Sequence, residues 1–175
     1  MIFSYRHLTG VKVFTKHIRG GHELSELNRD NHYSQHFQEI RLLKTPVQLE
    51  PGDALINTCV YDTSGRINIT LGGFAISEEM CVNYIHYYPK TDLEVCKSSV
   101  DTDSLKSYFE YMLHSERQST DSSKSVADNY NAIEWNPNRI RYLHEFYQNS
   151  PLSMQCNRSN GDRFPVKLWS CFYKL

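Results

Sequence analysis

The sequence has no excess of charge of one sign. Its 175 residues contain 19 Lys and Arg against 20 Asp and Glu, which leaves a formal net charge of −1. A polyphosphate chain or an anionic membrane surface is held chiefly by an excess of basic side chains. We therefore expect no nucleic-acid partner and no electrostatic attachment to a membrane.

Long apolar runs are also missing. No stretch approaches the roughly 18 consecutive apolar residues that a membrane-spanning helix needs. Residues 1–4 do not show the basic and then apolar regions of a secretory signal peptide. We expect a chain without a membrane span and without an export signal of its own, long enough for one ordinary domain.

The five cysteines include no CxxC pair, so the sequence gives little support to a zinc ribbon or a thioredoxin-like site. Their odd number leaves at least one thiol unpaired within this chain. The residues alone leave two states open: small buried thiols, or disulfides of a secreted protein. Two N-glycosylation sequons, at Asn68 and Asn157, lie among turn-type residues and favour the second state.

Alternating polar and apolar residues predict short strands over the first hundred residues. Residues 11–28 predict a hairpin around a Gly-Gly turn, residues 51–53 (PGD) predict a turn before a further strand, and residues 66–71 alternate again. Over residues 80–88 the alternation places Met80, Tyr84 and His86 on one face. Short strands at about ten-residue spacing predict a mainly β fold, a sandwich or a small barrel.

The second half of the sequence predicts helices. Apolar spacing of three and four after residues 103–104 predicts one helix, and a second follows Pro137, with its apolar face formed by Ile140, Leu143, His144 and Tyr147. The serine-rich residues 115–131 predict a mobile loop or linker. We expect three parts: a β-sandwich over 1–100, a helical and serine-rich connection over 101–150, and a tail over 151–175 with at most one strand.

Four features invite a functional interpretation: His7, the pair His32 and His36, the acidic run at 77–81, and the tyrosines after it. A methionine thioether is a poor ligand for zinc or magnesium and a good one for Cu(I), so a site of imidazole and methionine would indicate copper. Most methionines, however, fill cores.

Two of these features have structural alternatives. His32 and His36 have the spacing of a zinc pair on a helix, but the residues around them are poor helix formers and supply no third ligand, which favours a structural or substrate-loop role. Glu78 and Glu79 resemble a general acid and base pair. Adjacent strand residues point to opposite faces, so we expect one solvated and one hydrogen-bonded carboxylate.

Several long segments resemble a known family. Residues 7–10 (HLTG), 30–41 (DNHYSQHFQEIR), 51–53 (PGD), 72–74 (GGF) and 78–89 (EEMCVNYIHYYP) closely resemble the C-terminal catalytic half of the copper type II, ascorbate-dependent monooxygenases, the dopamine and tyramine β-hydroxylase family. The resemblance implies an antiparallel β-sandwich of the jelly-roll kind with two short C-terminal helices. It also implies copper as cofactor, ascorbate as electron donor, and hydroxylation by O₂ of the benzylic carbon of a phenylethylamine such as dopamine or tyramine.

The resemblance assigns the copper ligands residue by residue. The second histidine of the family's His-Thr-His pair falls on His7 and its methionine falls on Met80. The first histidine has no match, and Arg6 occupies the threonine position. A cation at this position is expected to weaken copper binding.

The resemblance also assigns cysteines and substrate-side residues. It implies a disulfide between Cys59 and Cys81, and it matches Cys96 and Cys156 to cysteines whose partners lie upstream, so we expect both to lack a partner here. Cys171 has no counterpart. Substrate-side roles fall on three neighbouring residues, Tyr84, His86 and Tyr87.

The resemblance finally implies a context. The electron-storing N-terminal copper domain of the family is missing from this sequence, and the family works in the secretory pathway or in vesicles. A covalent dimer is not expected, a non-covalent homo-oligomer is compatible with the sequence, and the oligomeric state itself stays open. The alternative function is a truncated, non-enzymatic β-sandwich module that lacks a complete copper site.

Overall fold

A computed structural model describes residues 2–5, 9–75 and 77–165. Its strands pair antiparallel throughout the described ranges, and the predicted mainly β class is confirmed. The strands are β1 (Ile2–Tyr5), β2 (Gly10–Arg19), β3 (His22–Glu23), β4 (Asn28–Asp30), β5 (Ala54–Tyr61), β6 (Val82–Ile85), β7 (Leu93–Val100) and β8 (Leu152–Arg158), and the helices are α1 (Thr102–His114), α2 (Val126–Asn131) and α3 (Pro137–Asn149).

The long strand β2 organises the first sheet. It pairs with β3 and β4 along one edge and with β5 along the other. The predicted Gly-Gly turn joins β2 to β3, and both glycines have the positive φ that a two-residue hairpin turn needs. Alternate residues of β2, namely Val13, Thr15 and His17, are buried, which gives the sheet one inward face.

A second layer covers this inward face. Strands β1 and β6 form a two-stranded ribbon, and β6 reaches the first sheet through side chains. Asn83 on β6 donates to the Thr15 hydroxyl of β2 at 2.7 Å. A disulfide joins Cys81, directly before β6, to Cys59 on β5.

Two strand predictions for this part need correction. Residues 66–71 form no strand, and Ile67 is fully exposed, because no neighbouring strand runs beside this segment within the described ranges. The strand predicted over residues 80–88 is shorter and extends only over β6.

The later part of the chain contains a second antiparallel pair, β7 with β8, that the sequence did not predict. Its side chains are mostly exposed. The sequence of β8, LSMQCNR, does alternate apolar and polar residues, and this signal was missed. Leu152 of β8 lies beside Val100 of β7, and the chain between these strands forms the three helices.

The helices confirm two predictions and correct a third. Helix α1 begins after Asp101, whose side chain accepts from the first-turn amides, and α3 begins at Pro137. The predicted loop 115–131 contains the additional helix α2. This segment is packed against itself through Asn129, whose side chain is buried. The Asn129 side chain accepts from the backbone amide of Asp121 and donates to the backbone carbonyl of the same residue.

The apolar face of α3 also differs from the prediction. Ile140 and Tyr147 are about half exposed, whereas Tyr142 and Phe146 contact the Tyr108 ring of α1, with centroids 5.8 and 4.7 Å away. Aromatic contacts therefore select the inward face of α3.

The chain divides into two compact units, residues 1–90 and 91–175. The first holds both layers around β2, and the second holds β7, β8 and the helices. The three-part division expected from sequence stays a prediction. None of the helices in the described ranges is long and apolar enough to cross a bilayer.

Candidate functional site

The segment 79–81 is held at three consecutive residues. The Glu79 amide donates to the Leu71 carbonyl at 2.9 Å. The Met80 carbonyl accepts from the Tyr61 hydroxyl at 2.9 Å, and Cys81 is bonded to Cys59. Met80 itself is half-buried. Its backbone is therefore fixed against β5 and against the loop before it.

The Glu79 side chain joins this segment to the start of β2. One carboxylate oxygen, Oε1, accepts from the backbone amide of Thr9 at 2.8 Å and from the Thr9 hydroxyl at 2.6 Å. The Arg66 guanidinium lies 4.0 Å from the same oxygen. The carboxylate is buried, and a buried carboxylate is stable only when it has such partners.

Glu78 holds a different segment. Its carboxylate accepts from the Ala75 amide at 2.9 Å and lies over the backbone of Gly73. A Cβ at Gly73 would come within 1.9 Å of the Glu78 carboxylate. The two adjacent glutamates thus bind separate segments. The expectation of one solvated and one hydrogen-bonded carboxylate is corrected, because both accept hydrogen bonds, and Glu79 is the more buried of the two.

His7 lies outside the described residues, but the residues on both sides of it are described. Tyr5, at the end of β1, is the register partner of Val82 on β6. Thr9 is bonded to Glu79. The chain on each side of His7 is therefore attached to the segment 79–82, which contains Met80.

The three predicted substrate-side residues lie at the exposed side of β6 and just after it. Cys81 and Asn83 point toward the first sheet, through the disulfide and the bond to Thr15. Alternation then turns Tyr84 to the other face, where it is about half exposed. His86 and Tyr87 are also exposed. Their roles as substrate-side residues stay predictions.

A second polar group, which sequence reasoning missed, lies inside the first unit. His17 Nε2 is 2.6 Å from Asp53 Oδ2, and both side chains are buried. The Arg19 guanidinium donates to both oxygens of Asp53 at 2.8 Å. This contact holds the pKa of the Asp53 carboxyl well below its usual range, and the Glu50 amide adds to the effect.

The signal for this group was present in the sequence. His17 continues the inward series of β2 after Val13 and Thr15, and Asp53 ends the PGD turn. A histidine on a buried strand face needs a polar partner, and a carboxylate is the strongest one. This group stabilises the edge where β2 meets β5 and takes no part in the segment 79–81.

The remaining predicted residues lie elsewhere. His32 and His36 are exposed in a segment without regular structure, and the His36 ring lies 3.3 Å from the Gln35 side-chain amide. In the described ranges, no three His, Cys, Asp or Glu side chains are grouped as a metal site requires. His32 and His36 therefore keep the structural or substrate-loop role as a prediction.

One expectation about the cysteines is confirmed and another is wrong. The structure contains the Cys59–Cys81 disulfide that the resemblance implies. Cys96 and Cys156, expected to lack partners, are bonded to each other, because the β7–β8 register places them opposite one another. Cys171 lies outside the described residues.

The two sequons differ in surroundings. Asn68 is exposed in the irregular segment after β5. Asn157 lies in β8, half-buried, and its side-chain oxygen accepts from Gln155 at 2.8 Å. Glycosylation of both stays a prediction.

The Met80 thioether in the segment 79–81 fits copper better than zinc or magnesium. A thioether is a soft donor that selects Cu(I), and an imidazole binds copper in both oxidation states. Met80 carries a thioether in this segment, and His7, the imidazole that the family resemblance assigns as a ligand, lies outside the described residues.

Comparisons with known proteins bear on this arrangement. Residues 1–109 match the family model described as copper type II ascorbate-dependent monooxygenase, C-terminal domain. The chain is 49% identical to dopamine beta-hydroxylase of Bos taurus over 162 residues, which cover 91% of this chain and 27% of that protein. It is 40% identical to tyramine beta-hydroxylase of Caenorhabditis briggsae over 165 residues, 93% of this chain and 27% of that protein.

A more distant relative is DBH-like monooxygenase protein 1 of Gallus gallus, 27% identical over 183 residues. The family match covers more than half of this chain, and the identities to the hydroxylases are high. The chain belongs to the copper type II, ascorbate-dependent monooxygenases and corresponds to their C-terminal domain. It spans about a quarter of the length of the hydroxylases that it matches.

Proposed function

We propose that this chain is the copper-binding C-terminal part of a monooxygenase that hydroxylates the benzylic carbon of a phenylethylamine such as dopamine or tyramine. The reaction inserts one oxygen atom of O₂ into the C–H bond and releases the other as water. Ascorbate supplies the two electrons. Bound copper supplies the one-electron chemistry and the activation of O₂.

One observation carries this proposal: the residues on both sides of His7 are attached to the segment that contains Met80. Tyr5 pairs with Val82, and Thr9 is bonded to Glu79. His7 is two residues from each in the sequence, and two residues of chain span at most about 8 Å. This reach supports His7 and Met80 as ligands of one copper ion.

The substrate side follows from the faces of β6. Tyr84 lies on the face turned away from the first sheet, and His86 and Tyr87 follow it on the exposed side. Tyrosine rings bind the ring of an aromatic amine edge to face and attract its ammonium group through cation–π contacts. We assign Tyr84 and His86 first to this role, then Tyr87.

The context of the proposal includes a second part of the enzyme. The electron-storing N-terminal copper domain would pass electrons from ascorbate to this chain, and the assembled enzyme would lie in the secretory pathway or in vesicles. The two disulfides and two sequons fit an oxidising compartment. A non-covalent homo-oligomer is part of the same proposal.

A specific observation favours a second candidate function. Arg6 stands where the family motif has a threonine, and the first histidine of the pair has no match. A guanidinium beside the ligands would repel the copper cation and so oppose metal binding. The chain would then be a β-sandwich module that binds or assembles without catalysis.

The experiment that separates these functions measures copper stoichiometry of the purified chain and ascorbate-dependent O₂ uptake with tyramine. One tightly bound copper per chain, lost in Met80→Leu, supports the monooxygenase role. No specific copper in the wild-type chain supports the non-enzymatic module. Met154→Leu is the matched control, because Met154 is an exposed methionine in the second unit.

A further inference from the structure

The Glu79 carboxylate connects the segment 79–81 to Thr9, which the other described contacts of this segment do not reach. The Leu71 carbonyl, the Tyr61 hydroxyl and the disulfide hold the segment 79–81 to the preceding loop and to β5. Glu79 Oε1 alone binds this segment to Thr9, where β2 begins, through bonds of 2.8 and 2.6 Å. The connection spans 70 residues of sequence.

The carboxylate is unusual for a purely structural contact. Its side chain is only 8% exposed. Its second oxygen, Oε2, is buried and has no hydrogen-bond partner among the described residues. A residue that only filled space would be apolar, because burying a carboxylate costs free energy. The burial therefore indicates that the position of Thr9 relative to residue 79 matters beyond packing.

We infer that Glu79 is a positioning residue of the copper site. Its carboxylate fixes Thr9 against the residue before Met80, and so sets the position of Met80, the proposed thioether ligand, relative to the start of β2. The inference rests on the proposed function for His7 and Met80. A residue that positions a metal ligand through a hydrogen bond typically changes metal affinity about 10- to 100-fold when removed.

The test uses the full chain labelled with ¹³C at its methionine methyl groups. The chain has four methionines, so each methyl signal can be resolved, and Met80→Ala identifies the Met80 signal by its loss. Three variants are compared with the wild type. Glu79→Ala removes the contact, Glu79→Gln keeps an oxygen that accepts from Thr9, and Glu78→Gln is the same conservative change at the adjacent position.

Without copper, we expect Glu79→Ala to shift and broaden the Met80 methyl signal, and Glu79→Gln and Glu78→Gln to leave it close to the wild-type position. The signals of Met112 and Met154 report the second unit and should stay unchanged in every variant. Thr9→Val removes only the 2.6 Å hydroxyl bond and gives a milder variant if Glu79→Ala does not fold. An unchanged Met80 signal in both Glu79→Ala and Thr9→Val would overturn the inference.

A titration with Cu(I) against a colorimetric chelator then separates the two proposals. We expect Glu79→Ala to bind Cu(I) at least about tenfold more weakly and Glu79→Gln within about threefold of the wild type. If Met80→Ala binds as the wild type does, the ligand assignment fails. If Met80→Ala loses affinity and Glu79→Ala keeps it, only the positioning role fails.

Discussion

The Asn83 side chain donates to the Thr15 hydroxyl at 2.7 Å and thereby decides which face of β6 meets the first sheet. The same amide group also reaches the Asn28 side chain of β4 at 3.2 Å. Because side chains alternate along a strand, this contact turns Tyr84 away from the sheet. Because Asn83 makes the contact with the first sheet, the face of β6 that carries Tyr84 stays exposed.

Met80→Leu should lower Cu(I) affinity by more than about 100-fold, because the substitution removes the soft sulfur donor and keeps the volume. Competition with a Cu(I) chelator measures the change. Thermal unfolding should differ little from the wild type, since an exchange of Met for Leu usually costs less than about 1.5 kcal/mol. Wild-type affinity in the variant would remove Met80 from the site.

Loss of the Cys59–Cys81 disulfide should lower the free energy of unfolding of the first unit by roughly 3 kcal/mol, since the bond closes a loop with a sequence separation of 22. The double variant Cys59→Ala, Cys81→Ala tests this by urea denaturation. The Cys96–Cys156 bond has a sequence separation of 60, so its removal should cost about 4 kcal/mol and act on the second unit. Free thiols at Cys59 and Cys81 in freshly oxidised protein would contradict the assignment.

The sequence predicted the elements whose signal is local. The hairpin after β2 needs positive φ at two successive residues, and Gly20 and Gly21 supply it. The segment 66–71 has the same alternation as a strand, but no strand of the described part of the chain pairs with it, because pairing depends on residues far away in sequence. Helix α2 was missed because it has only six residues and because one of its two buried residues, Asn129, contributes through hydrogen bonds rather than through apolar area.

For the candidate site, the sequence suggested the types of residue involved, but it could not predict the hydrogen bonds that join their segments. A site of imidazole and methionine would indicate copper, and the family resemblance assigned these two roles to His7 and Met80, which stay predictions. The bond from Thr9 to Glu79 joins residues 70 positions apart, and no local pattern encodes such a contact. Strand pairing and burial are needed to see that one glutamate holds both segments.

Asp53→Asn should lower stability at neutral pH and reduce its acid dependence. Arg19 lowers the pKa of Asp53 in the folded state below its ordinary value of 3.8. A lowered folded-state pKa stabilises the fold above the unfolded pKa, and this stabilisation is lost as pH falls below about 4. Urea midpoints at pH 7 and at several values from 4 to 2 measure the effect.

The wild type should lose stability steeply over that acid range, and Asp53→Asn should lose less. Glu39→Gln is the control, because its carboxylate is exposed and paired only with Arg41. Equal acid slopes in the wild type and Asp53→Asn would show that the buried carboxylate does not contribute to acid unfolding.

Tyr108→Phe and Tyr130→Phe should differ in their effect on the free energy of unfolding of the second unit. Burial raises the pKa of Tyr108, and its hydroxyl has no hydrogen-bond partner among the described residues, so its removal should be neutral or slightly stabilising. The Tyr130 hydroxyl is 2.7 Å from that of Tyr147, and its loss should cost about 1 kcal/mol. Urea denaturation followed by tyrosine fluorescence measures both, and a larger loss in Tyr108→Phe would reverse the assignment.

Gly73→Ala should destabilise the loop before Met80 through Glu78. The new methyl group would lie 1.9 Å from the Glu78 carboxylate, which must move and release the Ala75 amide. Because the carboxylate is the end of a flexible side chain, the expected loss is one hydrogen bond, about 1 kcal/mol, rather than a backbone rearrangement. Gly65→Ala is the matched control, since its methyl group would meet no atom within 4 Å. A Gly73→Ala variant as stable as Gly65→Ala would mean that the Glu78 contact does not hold this loop.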